Sequence, residues 1–259
     1  MQHPGMKAFA LLAAVMLTAI VSAPAAEMDT RVFEMRTYYA APGKLDDLNK
    51  RFREHTTGLF ENHLITNIGY WMPVENPDNK LVYVLAYPSR EARDASWKAF
   101  SADPDWKKAQ SESEANGKLV TKVEQLFMTA TDFSPSVTHA AGKEPRVFEL
   151  RTYTTTPGNL ALLHARFRDH TLALFQKHGM TNLWYWQLTP DQKDADKTLV
   201  YMLAHASVEA AKASFDAFRA DQDWIAAKAA SEEKGGGSLT VTDGVKSVFM
   251  KATDYSPIK

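Results

Sequence analysis

The sequence predicts an α+β protein built from two tandem ferredoxin-like units, each running β-α-β-β-α(α)-β, with the two antiparallel sheets packed face to face. Two observations lead there: the chain repeats itself, and within each copy the apolar residues switch between two-residue and helical spacing. Residues 31–71 align with 146–186 without a gap, and 23 of those 41 positions are identical. RVFEMRTY answers RVFELRTY, RFREHT answers RFRDHT, and both blocks end in Tyr-Trp. After a three-residue insertion the match resumes at Leu81-Val82-Tyr83 with Leu199-Val200-Tyr201. It continues at Asp103-x-Asp105-Trp106 with Asp221-x-Asp223-Trp224 and closes at Phe127-Met128-x-Ala130-Thr131-Asp132 with Phe249-Met250-x-Ala252-Thr253-Asp254.

The elements follow in order within the first copy. Residues 32–38 alternate, with Phe33, Met35 and Thr37 on one face and Val32, Glu34, Arg36 and Tyr38 on the other, which predicts a strand. Pro42-Gly43 is a turn. Leu45, Leu48, Phe52 and Leu59 form one helical stripe that runs to about His63. Strands are expected at 67–72 and 81–87. Ser89 caps a helix reaching about Phe100, and Asp103-Pro104 starts another with an N-cap and a proline in the first turn. A last strand covers 119–128. Helices on one face of such a sheet leave the other face uncovered. The second copy supplies the cover, so an intramolecular pseudo-dimer is expected.

Composition narrows function. Thirty basic residues stand against 31 acids, a formal charge of −1 that lacks the electrostatic footprint of a nucleic-acid binder. The absence of cysteine excludes disulfides, thiolate metal sites and cysteine nucleophiles. Lys7, an uncharged run over 8–21 and Ala23-Pro24-Ala25 read as a secretory signal over residues 1–25, which places the mature protein in the periplasm or outside the cell. The run is too short to span a bilayer, and no later segment is long enough. Domains are expected at 30–133 and 146–255, joined by a Ser/Pro/Ala/Gly linker over 134–145. The chain has no G-x-S-x-G elbow, Walker loop or dinucleotide fingerprint, which argues against serine hydrolases, NTPases and nucleotide-dependent dehydrogenases.

Phe33-Glu34-x-Arg36-x-Tyr38, Pro42-Gly43, the helix ending in Phe-x-x-His, Gly69-Tyr70-Trp71 and Asp103-Pro104-Asp105-Trp106 resemble the NIPSNAP family, within the dimeric α+β barrel superfamily. The resemblance covers nearly all of the chain beyond the signal and implies the same plaited fold. It implies no settled activity. Superfamily relatives include cofactor-free monooxygenases and haem-binding proteins, so the fold implies a pocket and little more. The copies depart from one another at His178-Gly179 against His63-Leu64, at Trp184 against Gly69 and at Gln222 against Pro104.

Candidate site residues come in sets repeated between copies. On an ideal helix His55 falls about 50° from the centre of the apolar stripe, so it and His170 should point inward. There each is either a usable acid, base or ligand or a core-edge histidine with a satisfied hydrogen bond. His63 and His178 sit at a helix C-terminus, where a cation suits the last carbonyls. His55 and His63 are about 12 Å apart along a helix, too far to share a metal, and no metal site is expected. Glu34, Arg36 and Tyr38, with Glu149, Arg151 and Tyr153, alternate onto the strand face expected to meet the other domain. Arg36 and Arg151 are either halves of orienting ion pairs or anchors for an anion or carbonyl. Tyr70, Trp71, Tyr83 and Trp106, with Tyr185, Trp186, Tyr201 and Trp224, give each copy an aromatic set, mostly core, from which one or two rings line a pocket.

The leading expectation is a binding module for a small apolar or aromatic ligand between helix and sheet in each copy, with no cofactor. The alternative is a cofactor-independent monooxygenase or isomerase with His55 and His170 as base or proton shuttle and the two arginines stabilising an oxyanion. A variant makes His55 an axial haem ligand. A third class, a purely structural protein, would show packed cores and an exposed apolar patch instead of a pocket.

Overall fold

The computed structural model describes residues 28–136 and 146–259. The signal over 1–25 and most of the expected linker, 137–145, lie outside the described residues. The first copy comprises β1 (Val32–Ala40), α1 (Leu45–Arg51), a π turn (Phe52–Thr56), α2 (Thr57–Asn62), β2 (Thr66–Pro73), β3 (Lys80–Tyr87), α3 (Arg90–Ala102), α4 (Pro104–Ser113) and β4 (Val120–Ala130). The second repeats it as β5 (Val147–Thr155), α5 (Leu160–Arg166), a π turn (Phe167–Thr171), α6 (Leu172–Lys177), β6 (Thr181–Leu188), β7 (Thr198–His205), α7 (Val208–Ala220), α8 (Gln222–Lys234) and β8 (Thr240–Ala252). The expected starts hold: Ser89 Oγ accepts from Ala92 N, and Asp103 caps α4 ahead of Pro104.

Each copy forms a four-stranded antiparallel sheet, and the two sheets join edge to edge into one closed eight-stranded barrel, β1-β3-β2-β8-β5-β7-β6-β4. Closure rests on two short ladders of three residue pairs, Trp71–Pro73 with Met250–Ala252 and Met128–Ala130 with Trp186–Leu188. All eight strands contribute to the interior, which is apolar: Phe33, Met35, Trp71, Met128, Phe148, Trp186 and Met250 are among its buried side chains. Gly69 is dictated by this packing, because a Cβ there would meet the Trp71 ring at 2.3 Å. In the second copy Trp184 takes that place and instead stacks on Trp186, 5.7 Å between centroids. The close approach at Gly69 is therefore made by a neighbouring indole.

Two expectations about orientation fail, for identifiable reasons. Phe33 and Met35 face the barrel interior, whereas Glu34, Arg36 and Tyr38 face the helices. The barrel offers no partner for a buried carboxylate, while α3 brings Arg93 and Trp97 to Glu34. His55 and His170 are exposed. A π turn advances roughly 80° per residue where an α-helix advances about 100°, so by the fourth residue of Phe52–Thr56 the phase has slipped outward by tens of degrees. Thr56 and Thr171 take the buried positions and return their hydroxyls to the Arg51 and Arg166 carbonyls.

The chain after each last strand crosses to the other copy's helix layer. Thr131 N donates to the Tyr185 carbonyl and Thr253 N to the Tyr70 carbonyl, both at 2.9 Å. Ser134 and Ser256 accept in return from Tyr185 N and Tyr70 N at 3.0 Å. Arg53 forks onto Asp254, and Arg168 onto Asp132. Tyr255 packs on Phe52 and Tyr70 and donates to Asn49 Oδ1 at 2.7 Å. In the reciprocal contact Phe133 packs on Phe167 and Tyr185, and His164 stands where Asn49 does. The repeated Ala-Thr-Asp-aromatic-Ser is thus a reciprocal clasp.

Leu64 and His164 carry testable costs. Leu64 holds φ +60 at the exit of α2, where the second copy uses Gly179 at φ +78, and its side chain is 80% exposed. Leu64→Gly is expected to raise stability by about 0.5–1 kcal/mol, read as a higher urea midpoint at unchanged slope. His164 Nε2 is buried without a partner among the described residues. Burial holds its imidazole below the ordinary value, with the charge of nearby Asp132 opposing and that of Arg168 assisting. A depressed histidine contributes stability above the unfolded value and loses it as pH falls through about 6.5. His164→Asn with Phe133→Tyr, the first copy's pair, should lose less stability than the parent between about pH 7.5 and about pH 5 in urea titrations.

Candidate functional site

The helix-facing side of β5 presents Glu149, Arg151 and Tyr153, because alternation sends Phe148 and Leu150 into the barrel. Glu149 is buried; Arg151 donates to it through Nη1 and to Tyr201 Oη through Nε at 2.8 Å. Nη2 of the same guanidinium reaches Tyr153 Oη at 3.1 Å, and Phe215 lies 4.5 Å from its carbon. Glu149 also accepts from Ser247 Oγ and from His205 Nε2, the latter at 2.9 Å. Burial works against its charge, but His205, Arg151 and Ser247 together hold the carboxyl below its ordinary value. The arginine is therefore fixed from behind, with its side chain 12% exposed.

Above it, between β5 and helices α7 and α8, lies an open cleft of about 510 Å³. Arg151 and Tyr153 form its floor; Phe215, Phe218 and Trp224 form apolar walls, and Arg219, Lys228 and Glu232 stand at its mouth. Three predicted residues, Arg151, Tyr153 and Trp224, meet here, and Tyr201 supports the floor from within the core.

The first copy fills the corresponding space differently. Trp97 occupies the place of Phe215, 4.4 Å from the Arg36 guanidinium, and its Nε1 reaches Tyr87 Oη at 2.7 Å and Glu34 at 3.2 Å. Arg93, where the second copy has Ala211, forks onto Glu34 at 2.8 and 3.0 Å. Burial opposes ionisation of Glu34, yet Arg93 and Arg36 hold its carboxyl below the ordinary value. Tyr87 stands where the second copy has His205.

The other expected residues divide by layer. Tyr70 stacks on Tyr83 and Tyr185 on Tyr201 within the helix-sheet cores. Trp71 and Trp186 are barrel interior, and neither Nε1 has a partner among the described residues. Trp106 packs on Phe100 and covers Arg51; Trp224 packs on Phe218 and covers Arg166. Tyr38 meets Tyr83 and Phe52 edge-on. His55 borders a separate polar cleft of about 320 Å³ between α1 and α4, and His170 a shallow one beside α8. His63 and His178 do not end on helix carbonyls through their rings: each Nε2 pairs with the capping aspartate of the next helix layer, Asp103 at 2.6 Å and Asp221 at 2.7 Å. Sequence reasoning missed Phe215, Arg219, Lys228, His205, Arg93 and Trp97. Their signal was available as the positions where two otherwise matching copies differ: Trp97 against Phe215, Arg93 against Ala211, Tyr87 against His205.

Among the described residues no group of three or more His, Asp or Glu is placed to hold a metal ion, and no helix is long and apolar enough to cross a membrane. His55 sits among Lys50, Arg51, Glu54 and Glu112, and His170 shares its cleft with Asp169, Asp223, Ala173, Leu174 and Ala226.

Among solved structures, an uncharacterized NIPSNAP domain protein from Burkholderia xenovorans shares 24% identity over 40% of this chain and 99% of its own, with a TM-score of 0.36. A candidate monooxygenase from Lactobacillus acidophilus aligns over 86% of this chain and 94% of its own at 12% identity and a TM-score of 0.52. An anthrone oxidase-like protein aligns over 87% and 92% at 9% identity and a TM-score of 0.55. The last two show the shared dimeric α+β barrel fold. No curated protein matches the chain. The NIPSNAP family profile matches residues 33–135 and 148–257, one match to each copy, and the chain belongs to the NIPSNAP family.

Proposed function

We propose that this protein is an exported binding module that takes a small, flat, apolar ligand in the cleft over Arg151. The observation that carries this reading is the aromatic-walled space of about 510 Å³ above a guanidinium locked in place by Glu149, Tyr153 and Tyr201. A pocket of this size with apolar walls and a few fixed polar groups suits a ligand of one to three rings. Export rests on the composition of residues 1–25.

Binding is favoured over oxygenation or isomerisation by the position of the histidines. His55 and His170 are exposed on the far side of the helices from the arginine floors, so neither stands ready to move a proton at Arg36 or Arg151. The two copies are also unequal: Trp97 in the first copy takes the place of Phe215, a cleft wall in the second, and Arg93 that of the buried Ala211.

The test uses that difference. Phe215→Trp installs the first copy's side chain over Arg151. The neutral fluorophore N-phenyl-1-naphthylamine should bind the parent with a rise in emission and bind Phe215→Trp at least about tenfold more weakly, a loss of about 1.4 kcal/mol. Equal binding to both proteins, with Phe215→Trp folded by circular dichroism, would remove this cleft as the site.

A further inference from the structure

The charges around the cleft say more about the occupant. In the first copy the buried Arg51 is neutralised: its Nη1 donates to Glu114 Oε1 at 3.0 Å. Its counterpart Arg166 is 7% exposed, donates only to Ser231 Oγ at 3.2 Å, and forms no ion pair among the described residues. Burial lowers the pKa of that guanidinium, although the charge of Glu232 opposes the shift. Glu232, which occupies the position of Glu114, lies at the mouth of the cleft, 4.0 Å from Lys228. Arg166 sits directly behind the Trp224 ring that walls the cleft, 5.2 Å from its centroid.

The mouth differs in both directions: Ile225 stands where the first copy has Lys107, and Asp216 where it has Lys98. Arg219 and Lys228 stand where the first copy has Ser101 and Gln110. Arg151, Arg166, Arg219 and Lys228 face or underlie the space. Opposing them are Glu149, already shared with His205 and Ser247, Asp216, shared between Arg219 and Lys212, and Glu232. The Arg151 fork uses three of its five N–H groups on Glu149, Tyr153 and Tyr201, which leaves two to donate.

We propose, resting on the cleft assigned above, that its ligand is a flat apolar acid: a ring system held between Phe215 and Trp224 and an anionic group, a carboxylate or its equivalent, that meets the free N–H groups of Arg151 and the cations Arg219 and Lys228. Charge-assisted donors at the floor position the anion, and Arg166, which forms no ion pair among the described residues, adds positive charge behind the indole wall.

Two probes of matched shape separate this proposal from the cleft itself: 2-naphthoate and 2-naphthalenemethanol, titrated by calorimetry at low salt. The parent should bind the acid at least about tenfold more tightly than the alcohol, and added salt should shrink that preference. Arg219→Ser with Lys228→Gln should narrow the preference severalfold while leaving the alcohol unchanged, and Phe215→Trp should weaken both probes. Equal binding of acid and alcohol, both lost in Phe215→Trp, overturns the acid proposal and keeps the apolar cleft. Acid binding that is as tight in Phe215→Trp as in the parent places the anion elsewhere and overturns the proposal. Absence of binding by either probe overturns both readings.

Discussion

The structure depends on one constraint: each four-stranded sheet carries helices on one face only, and its other face is apolar. Phe33, Met35, Trp71 and Met128 in one copy and Phe148, Trp186 and Met250 in the other have nowhere to go except against each other. Burying such side chains is worth roughly 1.5–3 kcal/mol each, enough to make the sheet-to-sheet contact the main source of cohesion in a chain without disulfides. Edge closure follows from that contact. The two ladders are only three residue pairs long, and the clasps that extend them return backbone hydrogen bonds to Tyr70 and Tyr185, whose rings belong to the helix-side cores. One copy's tail therefore completes the other copy's core.

The same constraint decides where chemistry can lie. With the barrel interior filled by indoles and phenyl rings, the Glu-Arg-Tyr row must face the helices, and differences between copies in the helix layer decide what the row can do. In the first copy α3 contributes Arg93 and Trp97, and the ionic groups satisfy one another. In the second, α7 offers Ala211 and Phe215 in their place, His205 supports Glu149 from β7, and space opens above Arg151. Each copy holds a fixed guanidinium, and the helix layer around it differs, with Arg93 and Trp97 in the first copy and Ala211 and Phe215 in the second.

Much of this was legible in the residues. The repeat fixed the order of elements and the pairing of two sheets, because a one-sided antiparallel sheet needs a cover. Ser89, Asp103-Pro104 and the alternation over 32–38 located starts and a strand correctly. Two things were hidden for physical reasons. Alternation separates two faces without saying which is inner, and the choice turned on an apolar barrel interior assembled from all eight strands of both copies. The π turns leave no mark in apolar spacing, since Phe52 and Leu59 keep their places on either side of the turn while His55 rotates out. Of the aromatic set, only those whose partners change between copies could have been singled out as cleft residues, and comparing unlike positions was the signal to use.

A shared barrel interior and reciprocal clasps should make the two copies one cooperative unit. Hydrogen exchange of the full chain in mild denaturant, resolved by peptide, measures this directly. Amides of β1 and β3 in the first copy and of β5 and β7 in the second are predicted to open together, with the same free energy and the same denaturant dependence. Separate opening of one copy, at a lower free energy and with the other still protected, would mean two independent units instead of one.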